Sequence, residues 1–224
     1  DLKSSAAKAA SEFESRLRHQ RSRSLAYAIV RPDDPRMETL LSVCLGVALA
    51  AACGLRVFLP LFALSLATRL GFVTVTGGFA WVSSTAALVT FGIALTLEVA
   101  AYYVPWLDNL LDAAAAPLAI GAGVLTSAAV LTDVSPVLRW SVAIVAGGGA
   151  AAGMQGLTTI ARAFTSFATA GLGNFVVATA EVLLSALLSL IAFLMPLVAA
   201  ALALGVLIVV ATRLLLRGTA ASAA

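Results

Sequence analysis

The sequence predicts an all-α fold, a polytopic bundle of transmembrane helices, on three observations. The first is charge poverty. Of 224 residues, 61% are hydrophobic and 11% charged, with a mean hydropathy of +1.03, whereas soluble domains carry about 25% charged residues. The second is where the charges lie. Residues 1–36 hold eight Lys/Arg and five Asp/Glu. The rest of the chain has only Arg56, Arg69, Arg139, Arg162, Arg213 and Arg217 against Glu38, Glu98, Asp108, Asp112, Asp133 and Glu181. So few charges cannot cover the surface of a water-soluble globule of that size. The third is that apolar runs of spanning length follow one another, and no alternating strand pattern competes. Together these exclude a soluble enzyme, a nucleic-acid reader and a disulfide scaffold. The overall charge of +3 comes entirely from the first 36 residues.

Residues 1–36 read as a polar, basic leader. Pro32 and Pro35 stop any helix before the apolar body, and the chain opens on Asp while Met37 looks like a natural start. The leader is therefore expected to be a tag, upstream translation or a processed tail. An interfacial helix is the alternative, because Phe13/Leu17 and Leu25/Ile29 are spaced i, i+4 between arginines. Residues 37–218 form the membrane domain and 219–224 a short tail.

Within the body, Glu38–Cys53 is the first apolar run, followed at once by Leu55–Leu70. The turn-like FVTVTGG precedes a span from Phe79 to Tyr103. Pro105–Asn109 reads as an interfacial loop, with Tyr102, Tyr103 and Trp106 as an aromatic anchor at headgroup depth. Spans over Ala113–Leu131 and Val137–Gln155 follow, then an amphipathic piece over 156–170. The run Val176–Leu216 would be about 60 Å long as one helix, twice a bilayer core, so it must break, and Pro196 is the place. Leu55–Leu70 and Leu157–Ala170 are short and carry Arg. As crossings they give eight membrane segments, and as re-entrant pieces six. Either count puts both termini on one side, and Arg213, Arg217 and the leader place that side in the cytoplasm.

A shift of 102 residues aligns 37–71 with 139–173 at nine of 35 positions, including Gly46/Gly148, Gly54/Gly156, Phe62/Phe164 and Gly71/Gly173. This points to two related halves, each a small-residue helix followed by a broken, Arg-bearing one.

The body has no histidine, since His19 lies in the leader, and it has no CxxC, HExxH, P-loop or dinucleotide fingerprint. No catalytic residue, metal site or cofactor is expected. Cys44 and Cys53 fall on opposite faces of one helix and cannot pair. The glycines at 121–123 and 147–149 are read as sites of close helix contact. Asp108 and Asp112 read as a solvated helix start, with Asp108 a candidate cap. The signal lies in ionisable residues inside apolar runs, since a charge at mid-bilayer costs at least about 2.5 kcal/mol. Arg56, Glu98, Arg162 and Glu181 are the candidate substrate-binding residues. Mutual ion pairs are expected, Arg56 with Glu98 or Glu181 and Arg162 with the other. Gln155, Thr158, Thr159, Thr165, Ser166 and Asn174 are expected around Arg162.

Several strings resemble a known family. They are GLRVFLPLFALSLATRLG, LEVAAYYVPWLDNLLD, APLAIGAG and the spacing R-x₂-T-x₃-T-x-G over Arg162, Thr165, Thr169 and Gly171. They are similar to DUF4126, a bacterial membrane family, over about Met37 to Arg217. Two departures remove charges: Tyr102-Tyr103 stands where the family often has Asp-Lys, and Ala116 where it often has Arg. The resemblance implies a polytopic inner-membrane protein and carries no activity with it.

The functional expectation is a non-enzymatic transporter or channel-like protein for an anionic solute or lipid headgroup, because guanidinium forks match phosphate and carboxylate. The alternative is a non-catalytic structural or assembly subunit of a larger membrane complex. The expected partner is the lipid bilayer, with a homo-oligomer or a membrane-complex subunit beside it and no nucleic acid.

Overall fold

A computed structural model describes residues 34–101, 105–169 and 174–222. The leader up to residue 33, Tyr102, Tyr103 and Gly171 lie outside these residues, as do the side chains of Trp106, Asp108, Asp112 and Asn174. The chain divides into two units at Glu38/Thr39, and the second, Thr39–Ala224, holds the apolar body.

The described residues are all-helical. The α-helices are α1 (Pro35–Leu55), α2 (Phe58–Leu70), α3 (Thr85–Ala100), α4 (Pro105–Val130), α5 (Pro136–Val142), α6 (Gly149–Thr169), α7 (Asn174–Leu194) and α8 (Pro196–Ser222). A 3-10 segment, Gly77–Ser83, precedes α3, and a π-helical segment, Ala143–Gly148, joins α5 to α6 in one rod. Among the described residues, four helices are long and apolar enough to cross a membrane, or five if the 3-10 segment and α3, bent by 62°, count as one. Phe58–Leu70 and Ala114–Val130 are apolar but shorter. The six to eight segments expected from the sequence include short helices of this kind, which the count of four to five leaves out. The outward faces carry large apolar side chains, such as Ile93 and Leu97 on α3, Leu183 and Leu187 on α7 and Val206 on α8, as contact with lipid requires.

Helix α1 is the central post. Every residue from Gly46 to Gly54 is buried, and the run is almost all Ala, Gly and Val, so neighbours can approach to backbone distance. A Cβ on Gly54 would collide with the Ala151 carbonyl oxygen and lie 2.7 Å from Met154 Cβ, and one on Gly123 would lie 2.6 Å from Ala151 Cβ. Of the glycines expected at helix contacts, Gly123, Gly147 and Gly148 serve there, whereas Gly121 and Gly149 face open space. Gly54→Val is therefore expected to lower stability by about 1–3 kcal/mol through overpacking. Gly121→Ala is expected to leave stability unchanged or raise it, by up to about 1 kcal/mol. Thermal unfolding in detergent distinguishes the two.

The contacts fix the helix directions. Leu61 clusters with Cys53, near the end of α1, while Leu64 clusters with Ala48 and Leu49, so α2 folds back along α1. Arg69 Nη1 donates to Thr85 Oγ1 at 2.7 Å at one end of the α2–α3 pair, and Phe58 meets Glu98 at the other. Gly46 lies against Ser127, and Gly123 against Ala50, which makes α4 antiparallel to α1. Ala151 against Gly123 and Gly147 against Ser127 send the α5–α6 rod back again. Helix α7 descends with Glu181 beside Arg56 and Ser185 beside Ala52. Helix α8 returns, bringing Ala199 to the level of Ala48 and Leu207 against Gly153.

Four sequence expectations change here. The piece 156–170 is no separate helix, because α6 runs unbroken through Gly156 and Leu157. The sequence treated the two short pieces alike, but only the first folds back. Consequently the buried stretch of α1 and the part of α8 from Ala199 to Leu207 run the same way. The half-to-half likeness is not seen either: the break at Arg56–Val57 corresponds to 158–159, in the middle of α6. Pro105–Asn109 is helical, with Pro105 at the first position, where a missing N–H costs nothing. The expected break at Pro196 is present, with Met195 between α7 and α8.

Local chemistry explains the ends. Gly71, at φ 81°, closes α2 with its own N–H on the Thr68 carbonyl and that of Phe72 on Ala67, and only glycine takes this backbone without strain. Ser84 and Ser135 cap α3 and α5 through their hydroxyls. Arg139 Nε donates to the Leu131 carbonyl at 3.0 Å, just past the end of α4, where a cation meets the negative end of the helix.

A charged cluster at a helix break

Helix α2 starts without a cap of its own. Its flanking residue is Val57, whose side chain offers no acceptor, so the first N–H groups of α2 have no intrahelical partner. Glu98, in the last turn of α3, supplies it. Its Oε1 accepts from the Val57 N–H at 2.9 Å and its Oε2 from the Phe58 N–H at 3.1 Å. A carboxylate bound to two backbone donors at the positive end of a helix is stabilised by both the hydrogen bonds and the helix dipole.

Arg56, the residue before this break, turns the other way. Its Nη2 donates to Glu181 Oε2 on α7 and to the Ala178 carbonyl at 3.4 Å. Arg162, on α6, meets the same carboxylate side-on, with Nε on Oε1 at 3.1 Å and Nη2 on Oε2 at 2.7 Å. One turn further along α7, Ser185 donates to the Ala52 carbonyl at 3.0 Å, which also accepts the Arg56 N–H. Arg56 is 6% exposed and Glu181 4%; the Arg162 side chain, at 15%, is the least covered of the three.

The four candidate residues therefore converge at one end of α1, and Glu98 lies within electrostatic reach of both Arg56 and Glu181. Their pairing differs from the sequence expectation. Both arginines take Glu181, and Glu98 takes backbone instead of an arginine. The reason is the break itself: folding the chain back at Arg56–Val57 exposes donors that compete for a carboxylate, and sequence shows charged side chains but not unpaired backbone. Ser185 and the Ala178 carbonyl were missed for the same reason. The signal for Ser185 was its i+4 spacing from Glu181 on a face of small residues. The hydroxyls expected around Arg162 turn largely onto their own helix: Thr158 and Thr159 both donate to the Gln155 carbonyl, and Thr165 to those of Ala161 and Arg162.

The cluster lies about 10 Å from the start of α7, so it is displaced toward one end of the bundle. Chemically it is two guanidiniums fixed on one carboxylate and a second carboxylate fixed on a helix end, all in apolar surroundings where an unpaired charge would cost several kcal/mol.

No curated protein and no solved structure matches the chain. The family model described as "Domain of unknown function (DUF4126)" matches residues 43–217. That span contains the break, all four charged residues and every helix packed against them, and by it this chain belongs to the DUF4126 family.

Proposed function

We propose that this membrane protein binds an anionic group, a solute or a lipid headgroup, at the Arg56–Arg162 pair, without catalysis, as part of a transport or channel-like activity in a bacterial inner membrane. One observation supports the reading above others: two guanidiniums, one from the α1–α2 break and one from α6, are brought to one point inside an apolar body. Side chains of this kind in a membrane segment are costly and are kept where they pair or meet a ligand. Two arginines arranged around two oxygens form an anion-recognition geometry. The displacement of the cluster toward one end gives a short approach from that side.

A second reading rests on the helices that the pairing joins. Glu181 and Glu98 together tie α1, α2, α3, α6 and α7, so the charges could serve as a lock in a structural subunit. Equilibrium binding of phosphate, acetate and chloride to the purified protein in nanodiscs separates the two. The binding reading expects a saturable anion signal that Arg162→Gln removes while the unfolding temperature stays within a few degrees. A loss of folding with no anion signal in the wild type favours the lock.

A further inference from the structure

The position of Glu181 bears on which anion the site accepts, and the choice of anion rests on the anion-binding reading above. We infer that Glu181 is a built-in competitor for the site and that the ligand it mimics is a carboxylate. Arg162 holds Glu181 through Nε and Nη2, one donor to each oxygen, at 3.1 and 2.7 Å. This is the parallel two-bond fit of a guanidinium edge to a planar, two-oxygen anion. Arg56 adds its donor to Oε2, an oxygen already engaged, so both guanidiniums converge on one planar group. A tetrahedral anion would bring a third and fourth oxygen. Next to Arg56 Nη2 lies the Ala178 carbonyl, an acceptor that repels a further anionic oxygen.

The two arginines differ in cover, the Arg56 side chain being 7% exposed and that of Arg162 15%. Arg162 is therefore the arm that changes partner. An incoming carboxylate takes its Nε–Nη2 edge, and Glu181 keeps Arg56. The number of ion-pair hydrogen bonds is preserved, Glu181 Oε1 gives up its donor, and each carboxylate retains a guanidinium. Glu98 takes no part in the exchange because both its oxygens hold the start of α2. Two sources share this chemistry, a small water-soluble carboxylate and the carboxylate of a membrane-dissolved fatty acid.

The test is equilibrium binding to the full chain in nanodiscs, with acetate, laurate and phosphate as probes. Removing the competitor's charge with Glu181→Gln is expected to tighten carboxylate binding about tenfold or more and to leave phosphate unchanged. Adding Arg162→Gln to that variant is expected to abolish the gain. A gain with acetate and laurate assigns a soluble source as sufficient, and a gain with laurate alone assigns the membrane; either supports the inference. If Glu181→Gln does not fold, Glu181→Asp, one methylene shorter and unable to keep both bonds, is expected to show the same change at smaller size. The inference is overturned if carboxylate affinity is unchanged or weaker in these variants, or if phosphate gains equally. Phosphate binding to the wild type without acetate or laurate binding would overturn this inference and leave the anion-binding reading standing. Absence of every anion would remove both.

Discussion

Glu181→Leu is expected to be among the most damaging single substitutions in the membrane domain. It leaves the Arg56 and Arg162 guanidiniums facing an apolar side chain, with Arg56 almost wholly buried. Removing one partner of a buried ionic group costs about 3–5 kcal/mol, because the remaining charge is stranded. For a domain of marginal stability that is a large share of the total, so the variant is expected to be recovered from membranes at a small fraction of wild-type yield. The same principle predicts recovery when the charges are removed together. The triple variant Arg56→Met, Arg162→Met, Glu181→Leu replaces the network by apolar groups of similar size, and its unfolding temperature is expected to return to within a few degrees of wild type. A triple variant as unstable as Glu181→Leu would show that the contribution of Glu181 is not electrostatic. The stable triple variant also separates fold from function, since it keeps the packing and removes the guanidiniums that anion binding requires.

Glu98→Ala is expected to rank beside it, through a different cause. The alanine withdraws the acceptor from two backbone donors at the start of α2, Val57 N–H and Phe58 N–H. Each buried, unpaired donor costs about 1–3 kcal/mol, so the loss is several kcal/mol and falls on the α1–α2 turn. Glu98→Gln keeps an acceptor oxygen for one donor and gives up the charge opposite the positive helix end, an effect of about 0.3–2 kcal/mol. The order wild type, then Glu98→Gln, then Glu98→Ala in unfolding temperature is the expected result. Hydrogen exchange should fasten the loss to one place: protection should fall first at the amides of Val57 and Phe58. Uniform loss across α1 to α8 would mean that Glu98 acts by packing and not as a cap.

These two carboxylates also show where sequence reading stops. Their presence in apolar runs was enough to single them out, because a charge in such a run is expensive wherever the helix goes. Their partners were not legible. Arg56 lies at the α1–α2 break, more than a hundred residues from Arg162 on α6 and Glu181 on α7, and nothing in local pattern says which cation reaches which carboxylate. Glu98 was assigned an arginine because only side-chain charges can be counted in a sequence. The donors it binds exist only because the chain turns back at Val57.

The membrane character, the all-helical class, the break at Pro196 and the family resemblance followed from composition, helix-length arithmetic and motif, all of which are local properties of the chain. The number and direction of the passes did not. Leu55–Leu70 and Leu157–Ala170 are similar in length and charge, yet the first is a returning helix and the second continues its predecessor. Gly54 and Gly156 precede them alike, but only Gly54 lies jammed against Ala151 and Met154. Whether an apolar, glycine-bearing stretch turns or continues depends on which neighbours fill the space beside it, and that is a property of the packed bundle alone.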